Sequence, residues 1–246
     1  MSGEPVSRPA LPKVGFFDSG IGGLCILRAF QALRPDVPTE YIADSANCPY
    51  GNKPAEEILR LSDENTRRLL DMGCRVVVVA CNTATAAAID TLRRRYPHVP
   101  FVGIEPAIKP AALRSKTGVV GVLATEGTFN GRLYKETKAK FAKDVTVIAV
   151  VADEFVTTVE KSADAIVRGD WPPKGAAGLA VERMVRRRIE PLLNAGADRL
   201  VLGCTHFPHL RPFIEKACDG RAEVIDPAAA VARQIQRVLL QRDWAD

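Results

Sequence analysis

The sequence has no long apolar run. Its longest strongly apolar stretches, such as 76–81, contain about six residues, whereas a transmembrane helix needs roughly 20. Residues 1–12 carry three prolines and lack the apolar core of a secretion signal, so we expect a flexible leader there. These features predict a cytoplasmic protein that neither spans a membrane nor is secreted.

The six cysteines lack the close, paired spacing that is typical of a disulfide framework. Without a secretion signal, this spacing predicts free thiols in a reducing cytosol. A strong charge excess is also lacking, because 34 basic minus 29 acidic residues gives +5. The densest basic runs, at 93–95 and 186–188, fall in helix-like stretches and indicate solvated faces, which argues against nucleic acid as a partner.

The sequence does contain enough apolar residues for a folded core. Of its 246 residues, 47% are hydrophobic and 26% are charged, which is the balance of an ordinary globular chain. Its length predicts one large domain or two small ones. Disulfide miniproteins, fibrous repeats and disordered chains are therefore excluded.

Strand-like and helix-like segments alternate along the chain. The predicted strands are 14–17, 40–43, 76–80, 101–104, 118–123, 145–151, 199–202 and 223–225. The predicted helices are 23–33, 54–72, 83–95, 129–141, 155–168, 179–195, 211–217 and 228–241, with 168–178 as a surface connection. Pro191 predicts a kink or restart in the sixth helix. The alternation predicts an α/β fold with mostly parallel sheets flanked by helices, and eight strands suit two sheets better than one.

Two segments half a chain apart resemble each other. GCRVVVVACNTAT at 73–85 and GADRLVLGCTHFP at 196–208 each place a cysteine and a threonine after a glycine-led apolar strand. Cys81 and Cys204 are 204 − 81 = 123 positions apart. The echo predicts two similar α/β domains, each with a thiol at the carboxyl end of a strand, where open α/β sheets bind ligands. We therefore expect the active site in the cleft between the domains.

Two further loops follow predicted strands. FFDSGIGGL at 16–24 is a glycine-rich turn whose amides could approach an anion, although its glycine spacing does not fit a dinucleotide-binding loop. A plain turn is the alternative. DSANCPYG at 44–51 reads in isolation as a tight turn, and Cys48 in it has no neighbouring acid or base and is interpreted as incidental.

The two cysteine motifs carry the chemistry. Cys81, Asn82 and Thr83 start a predicted helix, where the amide dipoles should lower the thiol pKa. A buried structural cysteine is the alternative. Cys204 and Thr205 precede His206, which can exchange a proton near neutral pH.

A metal site is the alternative interpretation of the second cysteine motif. Cys204, His206 and His209 make a Cys-x-His-x-x-His cluster, but a fourth ligand with a recognised zinc spacing is lacking. We therefore expect no metal.

Two thiols on opposite faces of one carbon atom could invert its configuration. Inversion needs a base on one face and an acid on the other, and a thiolate with a thiol supplies both. An unperturbed thiol has a pKa near 8.5, so only about 3% is thiolate at pH 7. Asp18 beside Cys81 and His206 beside Cys204 are the candidates for assisting the two thiols.

Four motifs together resemble the glutamate racemases of the aspartate/glutamate racemase superfamily. They are DSGIGG at 18–23, PYG at 49–51, ACNTAT at 80–85 and GCTHFP at 203–208. The resemblance extends from about residue 14 to 241. It implies interconversion of L- and D-glutamate for peptidoglycan synthesis without pyridoxal phosphate or metal, and a homodimer.

The resemblance also implies roles for single residues. Cys81 and Cys204 match the two acid/base thiols, with Asp18, His206 and Glu160 as catalytic assistants. The matching substrate-binding positions are Ser19, Pro49, Tyr50, Gly51, Asn82, Thr83, Thr125, Thr128 and Thr205.

The family topology implies that one domain is inserted into the other. The first would comprise 13–104 plus 212–246 and the second 105–211, so that 223–241 returns to the N-terminal half. Two departures from the family pattern occur. VADEFVTTVE at 151–160 lacks the usual cysteine and proline, which leaves Glu154 as an alternative to Glu160, and Gly131 stands where a serine is common.

Two other functions fit the same residues. The thiols would serve equally in a racemase of aspartate or another acidic substrate. A regulatory protein that kept the fold without turnover is the alternative from another class.

Overall fold

The computed structural model describes residues 11–242 and 244. Most of the predicted leader, 1–12, lies outside these residues. The first sheet has the order β2-β1-β3-β4 and consists of β1 (Lys13–Asp18), β2 (Thr39–Ala43), β3 (Cys74–Val79) and β4 (Phe101–Gly103). The second has the order β6-β5-β7-β8 and consists of β5 (Val119–Ala124), β6 (Thr146–Val151), β7 (Arg199–Leu202) and β8 (Glu223–Ile225).

All strand pairs are parallel, so the prediction of two parallel α/β halves is confirmed. The central strands carry apolar runs because helices cover both faces of each sheet. Val76, Val77, Val78 and Val79 of β3 are all fully buried. None of the helices in the described part of the chain is long and apolar enough to span a membrane.

Eleven α-helices are found among the described residues. Those of the N-terminal half, with the helix that connects it to the second half, are α1 (Leu24–Leu33), α2 (Ala55–Asp71), α3 (Asn82–Arg95) and the connecting α4 (Ile108–Arg114). The others are α5 (Glu126–Asn130), α6 (Arg132–Phe141), α7 (Asp153–Lys161), α8 (Ala163–Arg168), α9 (Gly175–Asn194), α10 (Arg211–Cys218) and α11 (Ala228–Leu240).

Several predicted helix boundaries are wrong. Predicted helix 129–141 breaks at Gly131, whose backbone is extended and whose added Cβ would lie 2.7 Å from Ala86 Cβ. Predicted helix 155–168 divides at Ser162. The sixth helix starts earlier, at Gly175, and continues through Pro191 without a restart. Helix α4 was not predicted, and its Pro110 lies in the first turn, where proline is tolerated.

The predicted return of 212–246 to the N-terminal half is wrong for its first part. Strand β8 pairs with β7 in the second sheet, because one edge of β7 pairs with β5 and the other is free to form hydrogen bonds with β8. Helix α10 buries Phe213 and Ile214 in the core of the second half. Helix α11, in contrast, packs on the first half, where Val231 and Ile235 share a core with Ile26 of α1.

Candidate active site

The carboxyl ends of the two sheets face one small cavity of about 10 Å³. Cys81 follows β3 and caps the N-terminus of α3, whereas Cys204 follows β7. Both thiols line the cavity, one from each half. The lining residues are Ser19, Pro49, Tyr50, Gly51, Cys81, Asn82, Thr83, Thr125, Val156, Cys204, Thr205 and His206. The structure thus brings together most of the predicted site, while Asp18, Glu160 and Thr128 contact its lining from behind.

Cys81 lies in a buried, hydrogen-bonding environment. Its Sγ accepts a hydrogen bond from Ala84 N at 3.5 Å and lies 3.8 Å from Ser19 Oγ. Burial, followed by the charge of Asp18, raises the pKa of the Cys81 thiol. The expectation that the helix start favours the thiolate is therefore wrong for the net effect, because desolvation outweighs the backbone hydrogen bond.

Cys204 belongs to a chain of three side chains. Its Sγ lies 3.6 Å from His206 Nδ1, and His206 Nε2 lies 2.6 Å from Glu160 Oε1. The His206 side chain is buried, whereas that of Glu160 is partly exposed. Burial raises the pKa of the Cys204 thiol well above its ordinary value. Burial also opposes ionisation of Glu160, but the hydrogen bond and charge of His206 prevail and lower the pKa of Glu160.

Glu160 rather than Glu154 occupies the site. Glu154 forms an ion pair with Arg188 on α9, whereas Glu160 contacts His206 directly. Glu160 Oε1 also accepts a hydrogen bond from Ile21 N at 2.8 Å, across the two halves. The two side chains point in different directions from α7, so Glu160 lies at the site and Glu154 lies against α9.

Asp18 is fully buried at the end of β1. Its Oδ2 accepts hydrogen bonds from Gly23 N at 2.7 Å and from Thr205 Oγ1 at 3.3 Å. Its Oδ1 is buried without a protein partner. Desolvation raises the pKa of Asp18, against the opposing charge of His206 and the hydrogen bond from Gly23 N. Asp18 can therefore hold a proton close to Cys81.

The glycine-rich loop at 18–23 is shaped by the second half. A Cβ at Gly20 would lie 2.0 Å from Glu160 Oε1, and one at Gly22 would lie 2.7 Å from His206 Nδ1. The loop amides bind carboxylates of the protein itself, since Ile21 N donates to Glu160 and Gly23 N to Asp18. The prediction of close approach at this loop is confirmed, but the partners are side chains of this chain.

Several predicted binding residues present polar groups near the cavity. Both side-chain polar atoms of Asn82 are buried without a protein partner. Thr83 Oγ1 lies 3.2 Å from Thr125 Oγ1, which lies 3.0 Å from Thr128 Oγ1, so three hydroxyls form a chain between the halves. Tyr50 differs, because its hydroxyl donates to Asp44 Oδ2 at 2.5 Å.

The residues near the site that sequence reasoning missed include Asp44, Asn65, Val156 and Cys48. Asp44 and Asn65 both contact the Tyr50 hydroxyl. Val156 lines the cavity from α7, and no sequence signal distinguishes it from a core valine. The interpretation of Cys48 as incidental is wrong, because its thiol lies beside Glu160 and His206.

The metal alternative drawn from the sequence is not supported. His209 Nε2 lies 3.3 Å from the Gly22 carbonyl oxygen, and burial lowers the pKa of His209 to about 4. Among the described residues, the ligand-type group whose donor atoms lie within 4.8 Å of one another is Cys48, Glu160 and His206. This group shares only His206 with the predicted cluster.

Two cysteine thiols line one cavity between paired parallel α/β halves, which is the arrangement that the resemblance to racemases implies. A family model described as Asp/Glu/Hydantoin racemase matches residues 25–235. The chain therefore belongs to the Asp/Glu/hydantoin racemase family.

Relatives within that family are glutamate racemases, which confirms the resemblance carried by the four motifs. The chain is 44% identical over 230 residues to the glutamate racemase of Ectopseudomonas mendocina, covering 94% of this chain and 83% of the relative. It is also 44% identical to that of Herpetosiphon aurantiacus, covering 94% and 85%. The structure of Escherichia coli glutamate racemase in complex with L-glutamate and the activator UDP-MurNAc-Ala superimposes with a TM-score of 0.81 at 32% identity, covering 94% and 84%.

Proposed function

We propose that this protein interconverts L- and D-glutamate by proton transfer between two thiols. The observation that carries the proposal is the placement of Cys81 and Cys204 on one cavity, each from a different half and each beside an acid/base partner. The names of the relatives support glutamate as the substrate.

The proposed reaction breaks and forms one C–H bond. A thiolate on one face takes the α-proton, so that an S–H bond forms as the C–H bond breaks. The opposite thiol then gives its proton to the α-carbon, which inverts the centre. The two cysteines exchange roles when the direction reverses, and the enzyme ends each turnover with the same number of protons.

His206 and Glu160 would activate Cys204. His206 Nδ1 would accept the thiol proton, and Glu160 would stabilise the resulting imidazolium through its contact with Nε2. The three side chains are arranged like a catalytic triad, in which a base activates a nucleophile and an acidic residue orients the base. Since burial raises the pKa of the thiol, a nearby base is needed to form the thiolate.

Asp18 would act on the Cys81 side. Its buried carboxyl interacts with Cys81, and burial raises its pKa, so it would accept a proton more readily than an exposed aspartate. The Ala84 amide stabilises negative charge on Cys81 Sγ once the thiolate forms.

Asn82 and the hydroxyl chain would bind the substrate's charged groups. A buried amide without a protein partner costs free energy unless a ligand satisfies it, and a carboxylate or ammonium would do so. Thr83, Thr125, Ser19 and Thr205 add hydroxyls that can donate or accept.

The cavity has the size of about one water molecule, so glutamate requires the halves to separate. A larger cavity of about 420 Å³ adjoins it through Gly51 and Thr83 and carries Lys53 and Arg132 on its wall. Both cations are paired with carboxylates of the chain, Lys53 with Glu57 and Arg132 with Asp90 and Glu136, so a substrate carboxylate would have to replace one of these partners.

Incubation with L-glutamate without added cofactor tests the proposal. Loss of optical rotation should accompany formation of D-glutamate, and the product formed in deuterated water should carry deuterium at the α-carbon. L-Aspartate in a parallel assay tests the alternative substrate. Racemisation of aspartate alone, or no exchange with either substrate, would contradict the proposal.

D-Glutamate would serve peptidoglycan synthesis, and the free state of the six cysteines supports a reducing, cytoplasmic location. The resemblance to the family implies a homodimer, which sedimentation equilibrium of the purified chain would test.

A further inference from the structure

A cysteine, a glutamate and a histidine meet beside the proposed proton relay. Cys48 lies in the loop after β2, Glu160 on α7, and His206 in the turn after β7. Their thiol sulfur, a carboxylate oxygen and a ring nitrogen all lie within 4.8 Å of one another. Glu160 and His206 belong to the proposed proton relay with Cys204, whereas Cys48 does not take part in it.

The three donor types match those that bind zinc. Zinc takes thiolate sulfur at about 2.3 Å, imidazole nitrogen at about 2.0 Å and carboxylate oxygen at about 2.0–2.2 Å. Around a tetrahedral ion such donors are roughly 3.3–3.8 Å apart. Side-chain shifts on the order of 1 Å would therefore form a three-ligand site, with Glu160 Oε1 and His206 Nε2 moving apart from their present 2.6 Å.

The surroundings of Cys48 are negatively charged. Glu160, Asp18 and Asp44 all act electrostatically on the Cys48 sulfur. A cation placed there would reduce the repulsion among these groups, since a bound ion is the largest local charge in its site.

We propose that Cys48, Glu160 and His206 bind Zn²⁺ or a similar thiophilic divalent cation, with the fourth position open to water. The ligands come from both halves, because Cys48 follows a strand of the first sheet and the other two belong to the second half. A bound ion would link the halves across the closed cleft.

Binding would also inhibit the proposed racemisation. The metal would bind the Glu160 oxygen that now contacts His206 Nε2 and Ile21 N. It would also bind His206 through Nε2, which leaves the ring proton on Nδ1, so that Nδ1 can no longer accept the Cys204 proton. This inhibitory consequence rests on the proposed function, whereas metal binding itself does not.

Cobalt titration of the tag-free full chain tests the binding. Co²⁺ bound to a thiolate gives a sulfur-to-metal charge-transfer band, and Zn²⁺ should abolish that band by displacement. We expect the wild type and the Cys204→Ala variant to show the band. Cys48→Ala should lack it and bind Zn²⁺ at least about tenfold more weakly in equilibrium dialysis. Cys218→Ala, which removes a buried thiol on α10, is the matched control and should bind like the wild type.

The same variants separate Cys48 from the other thiols near the cavity as the source of the thiolate ligand. A band that persists in Cys48→Ala would assign the metal to another thiol, Cys204 if the band disappears in Cys204→Ala and Cys81 if it does not, and would overturn the proposal. Absence of any band in the wild type would overturn it as well. In the racemase assay, Zn²⁺ should inhibit the wild type and Cys218→Ala, and Cys48→Ala should need at least about tenfold more Zn²⁺ for the same inhibition.

Discussion

His206 Nε2 lies 2.6 Å from Glu160 Oε1, and the other ring nitrogen of His206 faces the sulfur of Cys204. A carboxylate, an imidazole and a thiol are therefore aligned within the second half.

Removal of either thiol should abolish racemisation. In Cys81→Ala or Cys204→Ala one face of the α-carbon loses its proton donor and acceptor, and acid/base groups of this kind contribute about 10²–10⁴-fold to rate. Polarimetry with each glutamate enantiomer measures the loss. Cys218→Ala serves as the control with full activity, and near wild-type turnover in Cys204→Ala would disprove the two-thiol mechanism.

Replacement of His206 by asparagine should slow the reaction without abolishing it. The side chain tunes Cys204 and does not touch the α-proton. Because the two enantiomers have equal free energies in water, kcat/KM must stay equal in both directions for any active variant. We expect kcat and KM to shift unequally between directions. Identical shifts in both directions would show that His206 does not act on one thiol alone.

Glu160→Gln should reduce stability in a pH-dependent manner. The pKa of Glu160 is lowered in the folded protein, so its ionised form stabilises the fold above the unfolded pKa of about 4.5. That contribution is lost as the pH falls through the lower folded pKa. The difference in free energy of unfolding between wild type and variant should therefore be largest near neutral pH and shrink on acidification below about 4.5. A difference that does not change with pH would contradict this assignment.

Asp18→Asn should gain or retain stability while it loses activity. Burial raises the pKa of Asp18, so ionisation above its ordinary range costs stability, and a neutral amide avoids that cost. The amide oxygen can still accept the hydrogen bond from Gly23 N. Thermal unfolding near neutral pH and racemase assays together check the trade-off. A strongly destabilised variant would contradict this expectation and show that the charged carboxylate stabilises the glycine-rich loop at 18–23.

Alanine at Gly20 and at Gly22 should have different effects. The new methyl at Gly20 meets the carboxylate of Glu160 and would displace it from Ile21 N and His206, so we expect lost activity and a loss of stability similar to that of Glu160→Gln. At Gly22 it meets the backbone N of His206 at 2.8 Å, which cannot yield easily, and we expect about 1–3 kcal/mol of destabilisation. Denaturant unfolding and activity are measured on both variants. Equal losses of stability would contradict this account.

Core substitutions test how the C-terminal segment is divided. Ile235→Ala on α11 should lower hydrogen-exchange protection in α1 first, whereas Ile214→Ala on α10 should act on α9 first. Each removes a fully buried isoleucine side chain and should cost about 2–5 kcal/mol. Loss of protection in α1 from Ile214→Ala would contradict the division.

The sequence by itself determined the eight strands, the two similar halves and the cysteines at their strand ends. These features depend on local periodicity and on short motifs, which a linear reading detects. It also identified His206 through its two-residue spacing from Cys204.

Only the tertiary structure decided which distant residues meet. The pairing of β8 with β7, the choice of Glu160 over Glu154 and the position of Cys48 beside His206 depend on how the halves pack. The high pKa of both thiols is another tertiary effect, because desolvation depends on the whole enclosing surface and outweighs the local helix start. Burial and long-range contact are properties of the folded chain, so residue spacing alone does not specify them.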